Sequence, residues 1–180
     1  MYSLFDIIGT IEIITTTNRG FIYMDNQQQQ DVRQAKGTAY WASITVPNTT
    51  FEPVYQLELV LDDATADEFE ARGFSTINGT AVKRDGSMKT SDHYDGRAVL
   101  IKRKVNRKDG TPNFKPKLFD SNGEPTEDMV GNGSTVLVKY REWEVENQFG
   151  HFTGLDLIRV KVLDLVEYTS SSEFDEDDEF

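Results

Sequence analysis

GNGSTVLVKYREWEVENQFGHFTGLDLIRVKVLDLVEY (Gly131–Tyr168) carries the clearest pattern in the chain and decides its fold class. Val136, Val138 and Tyr140 alternate with Leu137, Lys139 and Arg141, and Trp143 continues the second series. A period of two sends successive side chains to opposite faces of a strand. The first part therefore reads as one long strand that opens at the glycine turn GNGS and ends at Asn147. Gly150 marks a bend, and Phe152–Tyr168 reads as the last strand. Upstream, further β-rich runs are separated by Gly, Asn, Asp and Pro. They are Ile7–Thr16 with Gly20–Met24 as its hairpin partner, Thr38–Val46 closed by Pro47-Asn48, Val54–Leu61, Arg97–Val105 and Phe114–Phe119. Asn26–Gln34 reads as a polar loop rich in glutamine, and residues 75–95 are dense in turn formers. One helix is expected, in DDATADEFEARG. Asp62 or Asp63 caps it, acids fill its first turn, Arg72 sits in its last, and Gly73 ends it. Half a dozen strands and one short helix after the second strand fit an all-β, OB-fold-like Greek-key barrel.

The chain has 180 residues, enough for one sizeable core with extensions. We divide it into an N-terminal extension or extra hairpin (1–36), the barrel (37–168) and an acidic flexible tail (169–180). It contains no cysteine, which excludes disulfides, thiolate catalysis and cysteine zinc sites and fits a reducing compartment. Its apolar runs are too short for a membrane helix. The start lacks the basic region and apolar stretch of a secretory signal.

Net charge is −12, yet the distribution matters more than the total. Glu173–Glu179 holds six of the 31 acids, whereas residues 83–117 hold eleven Lys and Arg against four Asp. Within that basic segment, Lys102 and Lys104 share a face of one expected strand. Lys115 and Lys117 share a face of the returning strand, with Phe114 opposite them and Arg107 on the turn. Cations then recur about 7 Å apart along each strand. They either line a phosphate groove or keep a solvated edge from pairing.

On the long strand, Lys139, Arg141 and Trp143 together resemble a stacking platform, where each base is worth about 1–3 kcal/mol. The competing reading makes Trp143 a cover for the end of the core. Tyr40 and Trp41 are adjacent, so one faces the core and the other solvent, with neither assigned. Catalysis has little support. His93 and His151 lack partners at ligand spacing, and Ser91-Asp92-His93 is a sequence neighbourhood rather than a spatial triad. The pairs Asp62-Asp63 and Glu127-Asp128 read as a cap and a turn. No catalytic set, metal site or cofactor is expected.

With these residues in view, the chain resembles the single-stranded DNA-binding proteins of tailed phages. The likeness runs through GTAYWASITVPN and VYQLELVLDD, then FDSNGEPTEDMVGNGSTVLVKYREWEVEN with the strand after it, and ends in EFDEDDEF. It implies cooperative, sequence-independent coating of single-stranded DNA in replication, recombination, repair and annealing, in the cytoplasm of an infected bacterial host. It implies a homodimer and no membrane association. It places Lys102, Lys104, Lys115 and Lys117 in the DNA groove, with Lys139, Tyr140 and Trp143 in the adjoining barrel strand. Arg107, Arg141, Tyr40, Trp41 and Phe114 complete the candidate interface. The tail residues Glu173, Asp175, Glu176, Asp177, Asp178, Glu179 and Phe180 would compete with DNA and dock the phage DNA polymerase and helicase-primase. The rival readings are an acidic DNA mimic or structural phage protein that never touches nucleic acid, a small metal-dependent nuclease, and a protein whose ligand is single-stranded RNA.

Overall fold

The computed structural model describes residues 32–168. The expected hairpin of Ile7–Thr16 with Gly20–Met24, and the acidic segment 169–180, lie outside the described residues. Six strands and one helix follow in the order β1 (Val32–Asn48), β2 (Val54–Val60), α1 (Asp63–Ala71), β3 (Ala98–Lys104), β4 (Lys117–Phe119), β5 (Ser134–Asn147) and β6 (Gly150–Asp164).

Strand order is β3-β2-β1-β5-β6, and a parallel pairing of β3 with β6 (Ile101 with Leu155, Lys102 with Asp156) closes the ring. β4 runs parallel to β6 on the same edge that β3 uses, a few residues farther along. A five-stranded closed barrel with this crossover is the OB topology. Its lining comes from alternate positions of each strand: Ala39, Leu57, Leu59, Ile101, Val136, Val138, Leu157 and Val160 are all fully buried. β1 begins at Val32, so Val32–Gln34, expected in the glutamine-rich loop, pair with Arg141, Tyr140 and Lys139 of β5. Tertiary pairing overrides the weak β tendency of a polar run.

α1 closes one end of the barrel. Asp62 accepts from Thr65 N at 2.8 Å and holds the N-cap, and this backbone hydrogen bond lowers its carboxyl below the usual range. Gly73 takes φ +85°, the left-handed conformation that ends a helix without strain. Buried Phe69 meets Tyr140 at 5.6 Å between ring centroids and Phe74 at 6.1 Å. Burial of such a ring contributes about 1.5–3 kcal/mol.

GNGS opens β5 but is no hairpin turn, because β4 pairs with β6 and not with β5. The motif fastens β1 and β5 to the segment that follows β6. Asn132 Oδ1 accepts from Trp41 N at 2.8 Å, Gly133 N donates to Ala39 O, and Ser134 Oγ accepts from Val166 N at 2.9 Å.

Candidate nucleic-acid interface

On the outer surface, β2 presents Val54, Gln56 and Glu58 in register with Lys104, Lys102 and Leu100 of β3. β1 extends the rows with Ser43 opposite Gln56 and Tyr40 opposite Glu58. Residues 75–97 roof the Tyr40 end. Tyr94 packs on Tyr40 with centroids 4.8 Å apart and donates its hydroxyl to Glu58 Oε2 at 2.6 Å. Burial, and then the Glu58 carboxylate, push the Tyr94 phenol well above its ordinary range. Tyr40 is therefore the covered member of its pair. Trp41 is 45% exposed, with φ +52° at a bulge in β1, and its indole meets His93 edge-on at 4.7 Å.

Beyond the roof the face is open. Lys102 has no acid within 4 Å among the described residues, and it lines a cleft of about 260 Å³ with Leu100, Phe74, Trp143 and Gly154. Trp143 is 38% exposed. It pairs across the sheet with Gly154, and a Cβ at that glycine would fall 2.3 Å from the Trp143 Cζ2. The indole lies against bare backbone, which fixes its position while leaving part of the ring open. Gly154→Val should expel the ring. In a Trp41→Phe background, the remaining indole emission should shift to the red, and an unchanged spectrum would mean that the ring does not rest on Gly154.

At the far end of β3, the chain interleaves cations with exposed rings. Lys104 Nζ meets Glu52 Oε2 at 2.7 Å, and Val105 N donates to Pro53 O, which places the 49–53 loop and the 91% exposed Phe51 there. Phe114 is 74% exposed, with the Arg107 guanidinium 5.8 Å from its ring centroid. Its carbonyl accepts from Arg103 Nη1 at 3.3 Å. Arg103 is buried, and its Nε donates to Asp156 Oδ1 at 2.9 Å.

The expected basic hairpin is not formed. β3 uses one edge for β2 and the other for β6, so no edge is left for β4. Only its tip closes, through Arg107 N to Thr111 O and Asn113 N to Val105 O, before Pro116, which has no N–H to donate, leads the chain to β6. Lys102 and Lys104 stay together. Lys115 pairs with Glu127 at 2.7 Å, and Lys117 joins a different face beside Arg159. Exposed pairs such as Lys104–Glu52 are worth about 0–1 kcal/mol, so an incoming phosphate can replace the acid. Lys139 and Arg141 point outward with Trp143, as alternation predicts, while Tyr140 is buried. His151 lies at the start of β6, with Nε2 3.6 Å from Glu144, instead of in a loop. No cluster of three or more His, Asp or Glu poised for a metal occurs among the described residues, and no helix among them is long and apolar enough to cross a membrane.

Phe51 and Gly154 were not singled out by sequence. A phenylalanine inside PNTTFEPV, a turn-forming stretch, is the signal that marks the first, since turn residues cannot bury it.

No family model and no curated protein matches the sequence. Solved structures do match. One is gp2.5, a single-stranded DNA-binding protein encoded by bacteriophage T7, with a TM-score of 0.53 at 19% identity, covering 81% of this chain and 97% of that chain. The chain shares its fold. A second is the single-stranded DNA-binding protein from bacteriophage Enc34, with a TM-score of 0.50 at 16% identity, covering 81% and 88%. The shared fold agrees with the phage resemblance read from GTAYWASITVPN and the β5–β6 block.

Proposed function

We propose that the chain is a sequence-independent single-stranded DNA-binding protein that acts in phage DNA replication and recombination in the host cytoplasm. The observation that carries this reading is the open β2–β3 face, where unpaired Lys102 shares a cleft with half-exposed Trp143. Phe51 and Phe114 then alternate with Lys104 and Arg107 at its end. The OB barrel binds oligonucleotides on its strand 2–3 face, and the structural neighbours are themselves single-stranded DNA-binding proteins. Cations neutralise phosphates, rings stack bases, and no side chain in the cleft is committed to a particular base edge.

Four or five phosphate contacts give a log–log salt slope of about −3, at about −0.7 per contact on single strands. Fluorescence titration with a dT oligomer at several salt concentrations measures this. A flat response would refute the reading in favour of an acidic protein that does not bind nucleic acid.

The acidic segment belongs to the same proposal. Ser170–Ser172 tether six carboxylates whose effective concentration at the groove can reach about millimolar. DNA displaces them, and the freed segment, with Phe180 as its apolar anchor, docks the polymerase and helicase-primase; two copies of the chain form the working unit. Deleting Glu173–Phe180 should tighten oligomer binding and abolish binding to those partners. Weaker binding after deletion would overturn the competition.

A further inference from the structure

The geometry points to a second phosphate-binding surface on the β4–β5–β6 face, continuous with the first across the β3–β6 seam and occupied by the backbone of the same single strand. In register, Lys139 of β5 lies beside Arg159 of β6, and Arg159 lies beside Lys117 of β4. Three cations thus stand in one cross-strand row, about 4.8 Å apart from strand to strand. Lys161 follows Arg159 two residues on, about 6.6 Å along β6, and Lys36 lies across Leu137 from it. None of these five has an acid within 4 Å among the described residues, whereas Arg33, Arg72, Arg97 and Arg103 each do.

Like charges directly opposite one another destabilise a sheet. Acids outnumber Lys and Arg among the described residues, yet none of those acids pairs with this row. A covering polyanion offsets that repulsion. Two acids beside the row are already engaged. Asp156 lies in register between Lys102 and Arg141 but is held by Arg103, and Asp120, on the turn beside Lys161, accepts from Glu124 N at 2.8 Å. The cations Lys102, Lys139, Arg159 and Lys117 therefore lead from the Trp143 cleft along β6 and its two neighbours. The side chains between the cations are aliphatic Leu137 and Ile158 and half-buried Phe119, with no exposed ring. This face holds phosphates and stacks no bases. It extends the footprint of a strand whose bases sit on β2–β3, so the inference rests on that reading.

The test compares the full chain with Lys36→Gln/Arg159→Gln/Lys161→Gln, three cations of this surface that lie outside the first site. The probes are dT oligomers of about 6 and about 20 nucleotides, one within and one beyond the roughly 4–16-nucleotide site of one OB barrel. The variant should bind the short oligomer as the unaltered chain does. For the long oligomer its salt slope should be shallower by about 2, from three lost contacts at about 0.7 each. The charge-keeping Lys36→Arg/Arg159→Lys/Lys161→Arg chain should restore that slope. An unchanged slope for the long oligomer overturns the second track. So does an equal loss on both oligomers, which would put these cations in the first site. Tighter binding by the variant also overturns it, and assigns the row to the chain's own acidic segment. If the unaltered chain binds neither oligomer, the parent reading fails as well. Normal binding of the short oligomer with no change for the long one sinks the track alone.

Discussion

Trp143→Ala lowers affinity for a dT oligomer roughly 5- to 150-fold, the equivalent of the ~1–3 kcal/mol that one stacked base contributes. The effect should appear almost wholly in binding. Trp143 is 38% exposed and lies on the β5–β6 ribbon where it leaves the barrel, so removing it opens no cavity in the core built around Tyr140 and Leu57. The melting temperature should therefore move by only a few degrees. Trp143→Phe keeps a π-face on Gly154 and should retain most of the affinity. Trp41→Ala supplies the control, because Trp41 is equally visible to solvent but stands on the β1 bulge against His93, away from the Lys102 cleft. If both alanine variants lose affinity alike, exposure rather than position explains the loss. If Trp143→Ala binds like the unaltered chain, the β2–β3 cleft is not where bases stack. The salt slope should change little in Trp143→Ala, since stacking releases no counterion.

The barrel was legible because its strands bury one face and leave the other wet. Val136, Val138 and Tyr140 against Lys139 and Arg141 specify both the strand and its orientation, and Leu57 with Leu59 does the same for β2. The helix was equally open, since capping chemistry is local: Asp62, Thr65 and Gly73 act within a dozen residues. Partner choice between strands was not. Lys102–Lys104 and Lys115–Lys117 look like a hairpin because hairpins join near neighbours, but β6 arrives from 50 residues downstream and takes the free edge of β3. A non-local competitor leaves no mark in a short window. The same limit hid the row of Lys139, Arg159 and Lys117, whose members come from three strands. R-V-K in β6 sets two cations on the face opposite buried Val160, but the strands beside them come from elsewhere in the chain. Side-chain exposure at Tyr40 and Trp41 was undecided for a different reason. A left-handed φ at Trp41 breaks the alternation on which the assignment depends.

Asp156→Ala should be the most destabilising single change near the interface. Arg103 is 8% exposed, and Asp156 takes its Nε at 2.9 Å as well as its Nη2; the remaining contact is Phe114 O at 3.3 Å. Stripping one partner from a buried pair leaves an uncompensated charge and costs about 3–5 kcal/mol. The Asp156 side chain is 29% exposed and water can reach the vacated space, so about 2–4 kcal/mol is expected. For a barrel of this size that lowers the melting temperature by roughly 8–15 °C. Asp156→Asn keeps one acceptor and should lose about half as much. The double change Arg103→Met/Asp156→Leu removes both charges together and should recover most of the stability, because apolar replacement of a buried pair is often neutral. It should not recover binding. Arg103 also anchors the Phe114 carbonyl, and with it the ring that Arg107 covers, so the double variant should fold well and yet bind the dT oligomer more weakly. Thermal melts and titrations on the same three chains separate the two roles. If Asp156→Ala melts within 2–3 °C of the unaltered chain, water already stabilises Arg103, and the pair is not what holds the end of β3 to β6.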